Sequence, residues 1–380
     1  MKGWKRGLTV RDLLCHQAGF APDPQYDNIS YDQTMQRIDP NVRNLLFSGA
    51  DGTEETRCQT FRSICRTPLM YEPRTKTVYS DVDYMLLGFI VEKVTGCGLQ
   101  EFLKKTFWEP MGLQRITFNP LNNGFKPEDC AATELNGNTR DGAIVFDGIR
   151  RHLIQGEVHD EKSFCAMGGV SGHAGLFATA TDLAKLASLM LTGGCGNHRF
   201  FSDTVIDMFR SPKNSTEDMW GLGWQRQGNC RKPFYYGTLA ARDTIGHQGW
   251  TGTLTMIDPE KELVVVYLTN KINSSVTDPE HDCSTFDGEY YTSSTLGFVP
   301  EWIEIGMDEG EDSGEARKAL LADMLNERLR LIERLKKEPG EGHPFIKGTY
   351  ALLEVVQKYA PEYFNEAERT VNIALKDQVE

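Results

Sequence analysis

Apolar residues recur at helical spacing in the first half of the chain and in compact β-rich runs in the second. Thr9-Val10-Arg11-Asp12 has the form of a capping box ahead of Leu13 and Leu14, so a short helix is expected to start there and stop near Gly19. Ser80-Asp81-Val82-Asp83 opens the clearest helix. Tyr84, Leu87, Phe89-Ile90-Val91 and Val94 keep one of its faces apolar, and Gly96 is its expected stop. A second helix covers about Leu99 to Trp108, and a third, capped by Thr181-Asp182, runs to Gly193-Gly194. Residues 21–78 read as loops and short helices without strand periodicity, and 120–169 as a polar, turn-rich span.

The character changes after Gly221. Thr253–Ile257 and Leu263–Leu268 predict an antiparallel hairpin around Asp258-Pro259-Glu260-Lys261, with a neighbouring strand within Arg242–Gly249. Tyr291–Ile305 reads as a helix able to cover this sheet. The pattern predicts an α+β fold, with a helical region over about 8–195 and a sheet region over about 220–306. Residues 307–380 begin with an acidic linker and continue as a helical extension marked by Leu321, Leu325, Ile332 and Leu335.

The net charge of -13 argues against nucleic acid as a partner, because phosphate binding needs a basic face. No run is long and apolar enough for a membrane span, and the basic start, Met1 to Arg6, is not followed by the apolar segment of a signal peptide. Nine cysteines lie scattered with no C-x-x-C pair, which fits a reducing compartment and a cytoplasmic reading. No cofactor is implied.

Three segments carry a family resemblance. Leu8-Thr9-Val10-Arg11-Asp12-Leu13-Leu14-Cys15-His16-Gln17-Ala18-Gly19 is similar to a "TIRDLLTHTSG" stretch; Tyr79-Ser80-Asp81 stands where a Tyr-x-Asn element would; Gly246-His247-Gln248-Gly249 resembles a Lys-Thr-Gly strand in its His-x-Gly form. In this order they resemble the serine β-lactamase and penicillin-binding-protein family of acyl-transfer hydrolases. The segments around Glu134–Asp141, Gly156–Lys162 and Gly168–Phe177 resemble the penicillin-binding protein type 4B subgroup, of D-alanyl-D-alanine carboxypeptidase type, in a family whose members are often exported to the bacterial envelope.

The resemblance implies a serine hydrolase that acylates and deacylates a Ser, with a D-Ala-D-Ala-type peptide, a β-lactam or a related ester as substrate. Tyr79 would shuttle the nucleophile's proton, and Asp81 would hold the family's lysine. As a carboxylate, Asp81 cannot donate to a substrate carbonyl as Asn would. His247 would attract the substrate carboxylate, a pull that weakens as pH rises. Gln248 and Gly249 line the strand edge, and the Trp250 N–H would form half of the oxyanion hole. Tyr79, Asp81 and His247 are expected to converge within about 10 Å.

No serine in the 380 residues has Lys three positions on, so the S-x-x-K nucleophile pair is absent from this sequence. The family resemblance places that pair upstream of Leu8, so the fold is expected to be N-terminally incomplete. Leu13, Leu14, Leu87 and Val91 would then be partly bare, and Leu263–Leu268 would be an unguarded sheet edge prone to self-association.

Three rival readings compete. The chain could be a degenerate family member that only binds ligands. Ser171 could serve an esterase-like Ser171–His247–Asp160 triad, since Gly169-Val170-Ser171-Gly172-His173 approaches a nucleophile elbow. His159, Asp160, Glu161 and His173 could hold a metal, although a rim network of hydrogen bonds around His159, Ser171 and His173 is the expectation. His16 is expected to serve packing.

Overall fold

The computed structural model describes residues 3–24, 31–32, 37–38, 53–145, 149–213, 219–228, 233–237, 239–290 and 297–307, with single helical positions between 354 and 365. The chain divides into two compact units, one formed by Met1–Gln225 and Pro279–Cys283, the other by Arg226–Asp278 and Ser284–Glu380. The expected acidic linker and the extension helix around Leu321–Leu335 lie outside the described residues.

The first unit is mainly helical, with α1 (Val10–Leu14), α2 (Glu54–Arg66), α3 (Asp81–Thr95), α4 (Leu99–Leu103), α5 (Ala180–Thr192) and α6 (Asp203–Arg210). Two-residue antiparallel pairs punctuate it: β1–β2 (Tyr31–Asp32, Arg37–Ile38), β3–β4 (Ile116–Thr117, Phe177–Ala178) and β5–β6 (Gly194–Cys195, His198–Arg199). The capping box at Thr9 forms as its sequence predicts, the Thr9 N–H donating to the Asp12 carboxylate at 2.8 Å. α1 nevertheless stops at Leu14, because His16 adopts a left-handed φ of 55°. α3 ends at Gly96 as predicted, while α5 is capped by Thr179, two residues ahead of Thr181. The predicted Leu99–Trp108 helix continues beyond α4 as a π-helical turn over Lys104–Trp108. α2 is a full 13-residue helix in a span read as loops and short helices; its apolar side is too sparse to have signalled its length.

Two apolar clusters hold this unit. Leu13, Phe20, Ile64, Val82, Met85 and Met167 unite α1, α2 and α3; Trp108, Met111, Leu113, Ile116, Phe118 and Leu189 unite α5 with the segment after α4. Leu13 is buried, contrary to the expectation that it would be partly bare, because it packs with Ala18, Phe20 and Leu69, whereas Leu14, Leu87 and Val91 are half-buried.

The second unit carries an antiparallel sheet in the order β10-β9-β8-β7, formed by β7 (Gln225–Arg226), β8 (Ile245–Gly249), β9 (Thr253–Asp258) and β10 (Leu263–Leu268). The hairpin register is Leu263↔Asp258 through Leu268↔Thr253. Asp258 fixes its turn by accepting the Glu260 and Lys261 N–H groups at 3.0 and 3.1 Å. A short α7 (Pro233–Tyr236) and α8 (Phe298–Met307) accompany the sheet. Tyr236, Leu254, Met256, Val265 and Ile303 share one core, so α8 covers a sheet face as predicted. β10 is terminal among the described strands. β7 went unpredicted because two residues carry no periodicity.

Candidate active site

Asp81 is the first residue of α3, where a carboxylate meets the positive end of the helix dipole, and Tyr79 precedes it by two. The Tyr79 ring lies 4.5 Å from the His16 ring, which also meets Trp220 at 5.0 Å and Tyr84 at 5.1 Å. His16 therefore packs, as expected, and does so against Tyr79. Its Nδ1 accepts the Ser80 N–H at 3.2 Å and faces the Asp83 carboxyl at 3.0 Å. An Nδ1 that accepts from the backbone carries no proton, so Asp83 must supply one. Burial agrees, pushing Asp83 up to about 8 and His16 down to about 4. The pair is a neutral hydrogen bond, not an ion pair. For Tyr79, desolvation first and then the charges of Asp81 and Asp160 push the phenol up to about 12.

Lys162 is the centre of the site. Its buried ammonium lies 2.6 Å from Asp23, 3.2 Å from Asp81 and 3.7 Å from Asp160. Burial alone would lower its pKa, but Asp160, Asp81 and Asp23 together hold it well above the ordinary lysine value. Burial would likewise raise Asp160, yet Lys162 and His173 keep it far below the usual carboxylate range. The ionised Asp160 accepts from His173 Nε2 at 2.9 Å and from the Ser163 N–H at 2.6 Å. With its proton on Nε2, His173 accepts the Ser171 hydroxyl on Nδ1 at 2.7 Å. A directed chain thus runs from Ser171 through His173 and Asp160 to Lys162 and Asp81.

The loop carrying Ser171 and His173 is seated on α3 by two devices. Arg57 on α2 makes two 2.7 Å bonds to Glu92 and donates to the carbonyls of Met167 at 2.6 Å and Val170 at 2.9 Å. Gly172 lies so close to α3 that a Cβ there would run into the Tyr84 carbonyl oxygen. Behind the loop, Glu134 binds His159 at 2.6 Å and pairs with Arg140. Arg150 donates to the carbonyls of Val158 at 2.8 Å and His159 at 2.7 Å.

In the second unit, β8 presents His247, Gln248 and Gly249 in register with Thr255, Leu254 and Thr253. His247 Nδ1 lies 2.7 Å from the Gln248 carbonyl oxygen. A Cβ at Gly249 would press on the Thr253 Oγ1 of its register partner, so a larger residue there would need that hydroxyl to move. Trp250 is half-exposed beyond the strand end, with the Lys271 ammonium 5.7 Å from its ring centre.

Several site expectations need correction. Ser171 pairs with His173, so the Ser171–His247–Asp160 triad does not form as written; the histidine two residues along the same loop reaches the hydroxyl first. Ser171 is 3% exposed and sits on a loop between a π-helical turn and β4, not between a strand and a helix, so it is no nucleophile elbow. The rim residues split: Ser171 and His173 join the Asp160 chain, while His159 joins Glu134. The proposed metal set of His159, Asp160, Glu161 and His173 also divides, because Glu161 faces Arg140 at 3.4 Å. Asp81, Asp160 and His173 do offer ligand atoms within 4.8 Å of one another, but the Lys162 ammonium already supplies positive charge there. Sequence reasoning missed Lys162 and Asp23 as site residues. The available signal was a lone lysine between Asp160 and the apolar run Phe164–Met167.

Residues 2–283 match the Beta-lactamase family model. A protein of Escherichia coli (strain K12), provisionally named a D-alanyl-D-alanine carboxypeptidase, is 46% identical over 301 residues, covering 79% of this chain and 65% of its own length. A Salmonella gallinarum protein of the same name is 44% identical over 302 residues, again with 79% and 65% covered. The chain thus spans somewhat less than two thirds of the curated relatives it matches. Among solved structures, EstCE1, a hydrolase with promiscuous acyltransferase activity, aligns with a TM-score of 0.49 at 17% identity, covering 76% of this chain and 71% of that one. An octameric penicillin-binding protein homologue from Pyrococcus abyssi aligns with a TM-score of 0.47 at 19% identity, covering 80% and 60%.

Proposed function

This chain belongs to the β-lactamase family, and on that premise we propose that it supplies the proton-handling and substrate-positioning parts of a serine hydrolase acting on D-Ala-D-Ala-type peptides. The observation that carries this reading is Tyr79 and Asp81 at the head of α3, with Tyr79 packed on His16 and Asp81 against Lys162. The relatives named as D-alanyl-D-alanine carboxypeptidases support the substrate class. In this reading Tyr79 takes the proton that the attacking serine hydroxyl gives up and passes it to the leaving group, and the His247-Gln248-Gly249 edge with the Trp250 N–H receives the substrate's carboxylate and developing oxyanion. β-Lactams and simple esters suit the same chemistry.

The 380 residues hold no S-x-x-K pair, so the chain by itself is expected to bind such ligands without forming an acyl-enzyme. Intact-mass spectrometry after incubation with a fluorescent penicillin tests acylation; calorimetry with a D-Ala-D-Ala-terminated peptide tests binding, alongside Asp81→Ala. Saturable binding that the variant weakens, with no mass adduct, supports the reading. A stoichiometric adduct on any serine overturns the acylation part, and failure of both ligands to bind at millimolar concentration overturns the substrate class. A second reading has one observation in its favour: the Ser171–His173–Asp160 hydrogen bonds could activate Ser171 as an esterase nucleophile. A fluorophosphonate adduct mapped to Ser171 would establish it, against the burial of that side chain.

A further inference from the structure

We propose that Lys162 is the positioning residue of the Tyr79–Asp81 element, holding Asp81 directly and the Ser171–His173 couple through Asp160. This deepens the reading above and rests on it for the role of Tyr79 and Asp81. Lys162 is 6% exposed. A buried ammonium without partners sheds its proton, so the three surrounding carboxylates are a condition of its charge. The dependence is mutual. Without Lys162, Asp23, Asp81 and Asp160 would crowd one another with no cation between them, and like charges at that range cannot all stay ionised. Among the described residues, Lys162 is the basic group within ion-pair reach of Asp81. Its ammonium also opposes the rise in the Tyr79 phenol that Asp81 and Asp160 impose.

Two limbs leave this one charge. The first reaches Asp81 and so the first turn of α3, where the Asp81 N–H donates to the Pro22 carbonyl at 3.4 Å and the Asp83 N–H to the Ser80 carbonyl at 3.3 Å. The second reaches Asp160, whose other oxygen orients His173. In this assignment Lys162 does not act on the substrate itself; it sets where Asp81 and the Ser171–His173 couple stand. The π-helical turn Lys162–Ala166 explains how a lysine comes to be held inside the unit: Ser163, Cys165 and Ala166 on the same turn are buried and anchor it.

The test compares Lys162→Met, Lys162→Arg and Asp160→Asn in the full chain, with circular dichroism reporting folding. In Lys162→Met the Asp160 carboxyl, followed by carbon-13 NMR, should rise into the ordinary range of about pH 3–5, and amide exchange at Asp81 and Asp83 should quicken by about tenfold or more. Lys162→Arg should keep Asp160 low and restore most of the protection. Asp160→Asn, which leaves the Lys162–Asp81 limb intact, should leave the exchange at Asp81 and Asp83 unchanged. An unmoved Asp160 titration in Lys162→Met overturns the proposal, as does equal loss of protection in Asp160→Asn. Should Lys162→Met fail to fold, Lys162→Gln takes its place in both measurements, and faster exchange at Asp81 and Asp83 in Asp160→Asn still overturns the proposal. Calorimetry with the D-Ala-D-Ala peptide separates the two readings: if wild type does not bind it while the titration and exchange respond as stated, the substrate assignment fails and the positioning role stands.

Discussion

Asp83 and His16, 67 residues apart in sequence, meet in one buried hydrogen bond of 3.0 Å in which the carboxyl holds the proton. The second oxygen of Asp83 is buried with no hydrogen-bond partner, which a neutral acid tolerates far better than a carboxylate. The stack under Tyr79 is therefore uncharged near neutrality.

This pair should shape the pH dependence of stability. The folded pKa of Asp83, about 8, is raised from 3.8, so its contribution is complete below about pH 4 and is lost as pH rises toward 8. That of His16, about 4, is lowered from 6.5, so its contribution is lost as pH falls from 6.5 to 4. Between pH 4 and 6.5 the two slopes oppose each other; above 6.5 only Asp83 acts. Urea unfolding at pH 6.5 and 8 should show a loss of up to about 2 kcal/mol, and Asp83→Asn, whose amide can donate to His16, should flatten that limb. A limb unchanged by Asp83→Asn would place the proton elsewhere.

Arg57 ties α2, α3 and the Met167–Val170 segment through one guanidinium. Arg57→Met keeps much of the stem but strands the half-buried Glu92 and two carbonyls. The expected cost is on the order of 3 kcal/mol, read from the midpoint of chemical unfolding. A cost below about 1 kcal/mol would reduce Arg57 to an ordinary surface pair.

At Gly172 the constraint is steric. Gly172→Ala should destabilise by about 1–3 kcal/mol, as overpacking does, because its Cβ meets the Tyr84 backbone oxygen. Gly98→Ala serves as a control: nothing lies within 4 Å of its Cβ position. Equal effects in thermal melts of the two variants would remove the close approach from the account.

β10 ends the sheet among the described strands, and its run Leu263-Val264-Val265-Val266-Tyr267-Leu268 carries no charge. Sedimentation velocity should reveal concentration-dependent self-association that Val266→Lys suppresses, as charged edges do. Identical sedimentation of both proteins as monomers would show that this edge is protected.

The elements legible in sequence were those whose signals are local. The Thr9–Asp12 box, the Gly96 stop and the Leu263–Leu268 run each declare themselves within a few residues. α2 escaped because Thr56, Thr60 and Ile64 form its buried side, and two threonines do not read as an apolar stripe. Tyr79, Asp81 and His247 were singled out through motif order, whereas Lys162 was not, because its meaning lies in carboxylates at positions 23 and 81 that no sequence window joins. The rival reading of Ser171 met the same limit: an elbow-like stretch raised a triad with the distant His247, whereas the histidine two residues on takes the hydroxyl.

The Lys162–Asp23 contact closes a span of 139 residues. Loop closure of that length is entropically costly and precedes any reward from the contact itself. The β9–β10 hairpin, pinned by its Asp258 turn, can zip on a timescale of about 1–10 μs. Refolding should therefore pass through a state with its local elements in place and its charge cluster unassembled, so that amide protection at Asp81 returns later than ellipticity.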